Sequence, residues 1–215
     1  MTRPLVIAVD GPAASGKGTI AAYLARTYGL PQLDSGLLYR AVGVAVLAKG
    51  GQLGDEAAAA EIAKVLDLSS LDQPAHRTRA AGEAASQVAV HPAVRLALRD
   101  AQQSFARQPS GAVIDGRDIG TVIAPDAVAK LFVTASPEVR AGRRWKQLTG
   151  QGETVSLADV LEDIRIRDAR DSGRDSSPLV RAEDAILLDT STMGIEAAAD
   201  AARRIVEAAR IRSNG

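Results

Sequence analysis

The segment GPAASGKGT, from Gly11 to Thr19, directly follows the apolar run LVIAV. A strand that leads into Gly-x-x-x-x-Gly-Lys and then into a helix is typical of a phosphate-binding loop, because small residues let backbone N–H groups point inward and the helix N-terminus adds positive potential. Lys17 is then expected to reach the β- and γ-phosphates of a nucleoside triphosphate. The nucleotide-binding residues predicted here are Gly11, Pro12, Ala13, Ala14, Ser15, Gly16, Lys17, Gly18 and Thr19.

The residue after the lysine departs from the usual motif. A phosphate-binding loop commonly has Ser or Thr there, whereas this chain has Gly18, with Thr19 one position later. The Thr19 hydroxyl would point to another side of the helix, so we expect Mg²⁺ to be held mainly by phosphate oxygens and water. The alternative is a glycine-rich turn with an incidental lysine, but the strand before it and the helix after it favour the phosphate-binding loop.

A bound triphosphate is compatible with a small-molecule kinase, a regulatory GTPase or a motor-type ATPase. A GTPase would need an Asn-Lys-x-Asp motif to read the base, and the only asparagine of the chain is Asn214. Arginines are instead placed at expected strand ends and on helices. Because Arg grips two phosphate groups at once and neutralises a transferring phosphoryl group, the pattern favours a kinase.

The elements that position these residues are predicted from an alternation of short β-branched runs and longer segments of helical period, which is typical of a parallel sheet covered on both faces. Strands are predicted at 5–9, 112–115, 130–134 and 185–188, with a short one ending at Asp34. Helices are predicted at 17–28, 36–48, 56–66, 92–107, 137–148, 156–174 and 195–210. Residues 68–82 and 150–155 are polar and contain glycine, so we expect surface segments that could move.

Two charged residues follow the third predicted strand. Asp115 ends that strand, where open parallel sheets place ligand-facing groups, and its carboxylate can organise magnesium-bound water opposite the phosphate-binding loop. The alternative is an Asp that only caps the turn before Gly116. Arg117 lies two residues later, and Arg40 lies on the helix after the second strand. Both arginines are candidates to hold the phosphate of an acceptor.

The segment from Leu157 carries an apolar stripe that becomes charged. Spacing of i, i+3, i+4 and i+7 places on one core-facing side Leu157, Val160, Leu161 and Ile164. Continued along the helix, the stripe becomes Arg167, Asp171 and Arg174. An inward face that turns charged is leaving the core for a polar cleft. The alternative, pairing within the helix, is worth only a few tenths of a kcal/mol and gives no reason to place these charges on this face.

Composition excludes several classes of protein. The 215 residues are enough for one domain with a substantial core. Lys plus Arg and Asp plus Glu both number 26, so no overall field attracts nucleic acid or an anionic membrane. The absence of Cys excludes disulfides and thiolate zinc sites and fits a reducing compartment. At the N-terminus, charge interrupts MTRPLVIAVD after a few apolar residues, too few for a signal h-region, and no run of the chain approaches the length of a membrane span. We therefore expect a cytoplasmic protein.

Six motifs of the chain resemble those of bacterial cytidylate kinases over nearly its whole length: GPAASGKGT, LDSGLLYR, ASQVA, IDGRDIGTVIAPDA, RDARDSGRDSSPL and ILLDTS. Adenylate, shikimate and gluconate kinases share the first motif, but DSGxxYR together with DGRDxGT is far more specific to the cytidylate type. The resemblance implies an α/β fold with a doubly wound, five-stranded parallel sheet of order 2-3-1-4-5. It also implies transfer of a phosphoryl group from ATP to CMP or dCMP with Mg²⁺.

The resemblance further implies one P-loop kinase domain over residues 1–215. The expected core covers 1–35, 108–144 and 180–215, the acceptor-binding segment about 36–107, and the lid about 145–175. We expect a monomer. The alternatives left open are a P-loop kinase for UMP or for a non-nucleotide hydroxyl compound and, third, a binding module or nucleotide-driven switch.

The site residues are carried over from the matching motifs. The catalytic residues implied are Lys17, Arg117, Arg174 and Asp115, the last acting on Mg²⁺ through water. Those implied for CMP are Ser35, Tyr39, Arg40, Ser86, Arg95, Arg117, Asp118, Arg167, Arg170, Asp171 and Arg174. Asp171 is expected to accept from the ribose hydroxyls while the arginines near it face phosphates. Arg140 and Arg143, on the helix after the fourth strand, are expected to reach ATP from the lid side.

Asp118 is the candidate for telling cytosine from uracil, which differ at ring position 4 by an amino donor against a carbonyl acceptor. Asp118 can only accept when ionised, Arg95 can only donate, and Ser86 can do either. The alternative is that Asp118 only braces Arg117 or Arg95, because neighbouring Asp and Arg often pair.

Residues 66–84 depart from the family that the chain resembles. The family has there a longer insertion with a small antiparallel sheet beside the acceptor site, and this segment is too short for three strands and their turns. We therefore expect closure over the acceptor to differ. His76 in this segment and His91 before Pro92 lack the carboxylate neighbours of a metal site, and neither is expected to be catalytic.

Overall fold

The computed structural model describes residues 4–67, 71 and 73–214. Five strands form one sheet in the order β2-β3-β1-β4-β5, and β1 pairs in parallel with both β3 and β4, as β4 does with β5. The strands are β1 (Val6–Asp10), β2 (Gln32–Asp34), β3 (Ala112–Gly116), β4 (Ala129–Thr134) and β5 (Ile186–Asp189). The predicted sheet and its strand order are confirmed, and each observed strand lies within one or two residues of the predicted one.

Eight α-helices are described: α1 (Lys17–Tyr28), α2 (Ser35–Ala48), α3 (Glu56–Lys64), α4 (Arg79–Val88), α5 (Pro92–Ala106), α6 (Pro137–Gly150), α7 (Leu157–Ser172) and α8 (Ile195–Asn214). A short 3₁₀ helix, Pro74–Arg77, precedes α4, and a single π-helical turn, Ile119–Ile123, follows β3. The seven predicted helices are all present. Among the described residues, no helix combines the length and the apolar character that a membrane crossing requires.

The chain forms two compact units. The first comprises Met1–Leu33 and Gln103–Gly215, and the second Asp34–Gln102. In the first unit β1 is buried on both faces, as in other doubly covered parallel sheets. Ile7 and Val9 pack with residues of α1 and α8, whereas Ala8 packs with the end of α5 and with the π-helical turn. The sheet therefore holds its helices on both sides and presents the carboxyl ends of its strands at one edge.

The second unit is built from α2 to α5, and its core includes Leu38, Val42, Val88 and Leu98. Helices α2 and α4 approach closely because Gly43 has no side chain: a Cβ there would lie 2.8 Å from the Cβ of Ala84.

Helix α4 overturns one expectation. Residues 68–82 are predicted as a surface segment, yet Leu71, His76, Ala81 and Gly82 are buried. Residues 68–70 and 72 lie outside the described residues. Packing against α2 outweighs the weak helical signal of this alanine-rich and polar segment, because helices in proteins derive most of their stability from tertiary contacts. Residues 150–155 are mostly exposed, as expected.

Candidate active site

The loop between β1 and α1 has the backbone that phosphate binding requires. Gly11 has a φ of +151°, and a Cβ there would overlap the carbonyl oxygen of Val133 on β4. Ala14 and Gly16 also have positive φ values, 59° and 92°. Left-handed residues of this kind occur in the backbone nests that bind anions, and α1 begins directly after Gly16. This phosphate-binding loop, residues 11–16, can therefore hold a phosphate at a helix N-terminus.

Lys17 folds back over this loop. Its Nζ donates to the carbonyl oxygen of Pro12 at 3.4 Å, and its side chain is half-buried. The ammonium group thus lies beside the backbone that is expected to hold the phosphates. Thr19, by contrast, is exposed on α1.

Two arginines of α6 hold the phosphate-binding loop through its carbonyl groups. Arg140 donates to Ala13 at 3.4 Å, and Arg143 donates to Ser15 at 3.2 Å. Arg143 also donates to the carbonyl oxygen of Thr190, just after β5, at 2.7 Å. The described structure thus places both guanidinium groups against protein oxygens, and their expected contact with ATP stays a prediction.

Arg140 is further fixed by Asp168 on α7. The two side chains pair through both nitrogens and both oxygens, at 3.0 and 2.6 Å, and Arg140 is buried. Paired contacts of this geometry are among the strongest that Arg forms. Sequence reasoning missed Asp168 and Thr190, although both lie within motifs that it singled out.

Asp115 lies at the carboxyl end of β3 and is buried. The side-chain amide of Gln32 on β2 donates to its Oδ1 at 3.2 Å. Its Oδ2 lies 3.7 Å from the position that a Cβ on Gly18 would occupy. The carboxylate therefore faces the first turn of α1, one residue from Lys17. Gln32 was not predicted, because its exposed position on a short strand carries no signal.

Asp171 collects three arginines. Arg117, just after β3, donates from Nε to Oδ2 of Asp171 at 2.7 Å; Arg174 pairs with Oδ1, and Arg167 Nε lies 3.9 Å from Oδ2. Asp171 is fully buried. Burial alone would raise its pKa, but the three arginines outweigh burial and lower the pKa of Asp171 to about 2. Arg170, next to Asp171 in α7, is half-buried.

This arrangement contains elements of both interpretations of the charged end of the α7 stripe: pairing within one stretch of chain, and a face directed to a polar site. The pairs of Asp171 with Arg167 and Arg174 lie within one stretch of chain, as the alternative supposed, but Arg117 comes from a different element. One carboxylate thus holds three guanidinium groups together. The cluster carries more positive than negative charge and suits a phosphate group.

Asp10, the last residue of β1, is a buried carboxylate that sequence reasoning missed. Its two oxygens accept from the backbone N–H groups of Ile119 and Gly120 at 2.8 and 2.7 Å. Burial raises the pKa of Asp10 to about 6, against the lowering effect of these hydrogen bonds. Asp118, directly before this turn, is also buried.

The remaining predicted acceptor residues belong to the second unit: Ser35 and Tyr39, buried on α2; Arg40, half-buried on α2; Ser86, buried on α4; and Arg95, buried on α5. The guanidinium carbon of Arg95 lies 5.5 Å from the centre of the Tyr39 ring, within range of a cation–π contact.

Arg40 is held by the 3₁₀ helix of the short 66–84 segment. It donates to the carbonyl oxygens of His76 and Thr78 at 2.9 and 3.3 Å. His76 Nδ1 contacts the carbonyl oxygen of Leu71, and His91 Nε2 contacts that of Leu53, both at 2.8 Å. The two histidines thus stabilise backbone segments of this unit.

Comparisons with known proteins agree on one family. The family profile described as cytidylate kinase matches residues 7–208. A cytidylate kinase of Caulobacter vibrioides is 68% identical over 207 residues, which cover 96% of this chain and 97% of that protein. A cytidylate kinase of Brucella suis biovar 1 is 54% identical over 215 residues, 100% of this chain and 98% of the relative. A crystal structure of an uncharacterized protein from Eubacterium ventriosum shares the fold, with a TM-score of 0.56 at 13% identity over 96% of this chain and 99% of that one. The chain belongs to the cytidylate kinase family of nucleoside monophosphate kinases.

Proposed function

We propose that this chain transfers the γ-phosphoryl group of ATP to CMP or dCMP, giving ADP with CDP or dCDP. The observation that supports this most is the presence, within the first unit, of two features suited to binding anions: the phosphate-binding loop with Lys17, and the arginines held by Asp171. A nucleotide donor and a phosphorylated acceptor require one such feature each. Catalysis of phosphoryl transfer consists mostly of positioning and charge neutralisation.

Each feature has a role in the transfer. The loop and Lys17 hold the β- and γ-phosphates of ATP, so that Lys17 stabilises the charge that develops there. Arg117 and Arg174 hold the acceptor phosphate and neutralise the transferring group. Asp171, ionised because of its low pKa, keeps these arginines in place and accepts from the ribose hydroxyls. No strong general base is needed, because the transition state is loose.

We also propose that Mg²⁺ accompanies ATP. The carboxylate of Asp115, whose Oδ2 lies 3.7 Å from the position of a Cβ on Gly18, suits an ion that is bound mainly by phosphate oxygens and water. Asp115 would contact the ion through water. When bound, the ion would neutralise charge on the phosphates of ATP.

The base is selected by Asp118, Arg95 and Ser86 in this proposal. Asp118 accepts from the amino group of cytosine, and Arg95 and Ser86 donate to the ring nitrogen N3 and the carbonyl oxygen O2. All three side chains are buried in their own units. A buried carboxylate that meets the carbonyl of uracil loses its hydrogen bond, which gives strong discrimination. Ser35, Tyr39, Arg40, Arg167 and Arg170 complete the proposed acceptor site.

The enzyme is proposed to act as a monomer on ATP and CMP or dCMP, without nucleic-acid or membrane partners. It is proposed to act in the cytoplasm, where ATP is available as the donor.

An acceptor panel tests the proposal. ADP formation is coupled to a spectrophotometric readout with CMP, dCMP, UMP, AMP and a non-nucleotide hydroxyl compound as acceptors. We expect CMP and dCMP to give the largest kcat/KM. A preference for UMP or for the hydroxyl compound would identify a different kinase, and ADP formation without acceptor dependence would identify a nucleotide-driven switch.

A further inference from the structure

Asp10 is a buried carboxylate that the proposed transfer does not use. Only 5% of the residue is exposed, and both of its oxygens are engaged. Oδ1 accepts from the N–H of Ile119 at 2.8 Å, and Oδ2 accepts from the N–H of Gly120 at 2.7 Å. These are consecutive backbone donors about 110 residues away in sequence, so the contact is a tertiary one that fixes the backbone after β3.

The turn that Asp10 holds begins directly after the proposed base reader. The first N–H groups of any helical turn lack partners within it, and the side chain of Asp118 forms no capping hydrogen bond. The carbonyl oxygen of Asp118 accepts from Val122 and Ile123 at 2.9 and 3.3 Å. The backbone carbonyl of Asp118 is thus hydrogen-bonded within the turn. The side chain of Asp10 accepts from the first two N–H groups of the turn, those of Ile119 and Gly120.

The fit around this contact is close. A Cβ on Gly120 would lie 3.3 Å from Oδ2 of Asp10 and 3.2 Å from Cδ of Lys130. Asp10 also directly precedes Gly11, whose own missing side chain admits the carbonyl of Val133. The carboxylate is therefore confined between the first residue of the phosphate-binding loop and the turn after Asp118.

We infer that Asp10 is a positioning residue for base selection: by holding the N–H groups of Ile119 and Gly120, it fixes the backbone from which Asp118 reaches the cytosine amino group. This inference rests on the proposed function. Asp10 does not touch the acceptor and acts through the turn. The charges of Asp118 and Arg117 also affect the pKa of Asp10, the first raising it and the second lowering it.

The substitution Asp10→Asn tests the inference. The amide oxygen can still accept from one N–H group, but the amide nitrogen presents a donor to the other. The turn should then shift, and Asp118 with it. We expect kcat/KM for CMP to fall at least about tenfold and the ratio of kcat/KM for CMP over UMP to narrow at least about threefold. KM for ATP should stay within about twofold, since the loop backbone keeps its braces from α6.

The matched control is Asp184→Asn. Asp184 is exposed and pairs with Lys130, the residue that also borders Gly120, at 2.8 Å. Its loss removes a carboxylate contact on the same side of the sheet but leaves the bonds of Asp10 intact. We expect the CMP over UMP ratio of this variant to equal that of the unsubstituted enzyme.

A double substitution separates positioning from general damage. If Asp10 acts through Asp118, Asp10→Asn should narrow the ratio no further in an Asp118→Asn background. Equal loss of affinity for ATP and CMP, an unchanged ratio in the single variant, or full additivity in the double variant would overturn the inference.

Gly120→Ala covers the case in which Asp10→Asn does not fold. It keeps the carboxylate of Asp10, but the added methyl group would lie close to Asp10 Oδ2 and Lys130 Cδ and should displace the turn. The ratio of kcat/KM for CMP over UMP should then narrow as in Asp10→Asn, and an unchanged ratio would again overturn the inference. Failure of the proposed function is distinguishable, because the unsubstituted enzyme would then show no preference for CMP.

Discussion

Arg117 and Asp171 are joined by a hydrogen bond of 2.7 Å from Nε to Oδ2, although 54 residues separate them. The bond connects the segment after β3 with the last turn of α7, and the carboxylate in it is fully buried. Because Arg174 and Arg167 meet the same carboxylate, removing its charge affects three proposed phosphate-binding side chains at once.

Asp171→Asn should damage both binding and stability. The variant leaves three arginines around a neutral amide, so we expect KM for CMP to rise at least about tenfold and kcat to fall on the order of a hundredfold. Breaking a buried ion pair on one side should lower the free energy of unfolding by on the order of 3 kcal/mol. Urea denaturation and steady-state kinetics measure both. Asp200→Asn, in an exposed cluster with Arg203 and Arg204 on α8, is the control and should change neither; equal behaviour of the two variants would refute the role of Asp171.

Lys17→Ala should leave the fold intact and lower kcat by a factor on the order of a hundred or more, because the ammonium group stabilises charge on the β- and γ-phosphates. Lys64→Ala is the control, since Lys64 is exposed on α3 and pairs only with Glu61 among the contacts described for it. Circular dichroism and turnover with CMP check the prediction. A well-folded Lys17→Ala variant with normal turnover would remove the phosphate-binding role of the loop.

Asp118→Asn should reduce discrimination between the two pyrimidines. An amide can turn either its donor or its acceptor to the base, so the ratio of kcat/KM for CMP over UMP should narrow by at least about tenfold, roughly 1.4 kcal/mol. Kinetics with both acceptors measure the ratio. If Asp118 only braces an arginine, both acceptors should weaken together and the ratio should hold.

The pH dependence of stability should report on Asp10. Burial raises its pKa from 3.8 to about 6, so between these values the native protein keeps a proton that the unfolded chain has released. Its contribution to the free energy of unfolding therefore falls as pH rises from about 4 to about 6, by on the order of 3 kcal/mol. Asp171 has the opposite sign, because its lowered pKa favours the native state above pH 4 and that contribution is lost towards pH 2.

Subtracting the curve of Asp10→Asn from that of the unsubstituted protein isolates the first effect, since the other groups cancel. The difference should fall between pH 4 and 6 and stay level above pH 7. A flat difference across this range would show that Asp10 titrates normally.

The sheet could be predicted because its strands are short β-branched runs between helices of clear period, a local signal that survives folding. Helix α4 could not, since its alanine-rich residues gain their order from the close approach of Gly43 to Ala84, which links distant parts of the chain. The resemblance of motifs identified more candidate site residues than the hydrophobic periodicity did. It placed Ser86 in the acceptor set although the helix that bears it was not predicted.

The hydrogen bonds by which Arg140, Arg143 and Asp10 hold backbone segments of the site were also not predicted, because their partners are distant in sequence. The hydrogen bonds of Arg140 and Arg143 to carbonyl oxygens of the phosphate-binding loop, 127 and 128 residues earlier, were not predicted, and the expected contact of these arginines with ATP stays a prediction. The sequence shows Asp10 only as the end of a strand, and its partners Ile119 and Gly120 lie 109 and 110 residues later. A sequence shows where a charged residue stands, but it does not show which backbone N–H or carbonyl group will be its hydrogen-bond partner.

The proposed transfer is tested most directly by following the phosphoryl group itself. The enzyme is incubated with ATP labelled on the γ-phosphate, Mg²⁺ and CMP, and the products are separated. We expect the label to appear in CDP at the position of its terminal phosphate, with little free phosphate, and we expect omission of CMP to stop the loss of label from ATP. Label released mainly as free phosphate, or ATP consumption that does not depend on CMP, would contradict the proposed transfer.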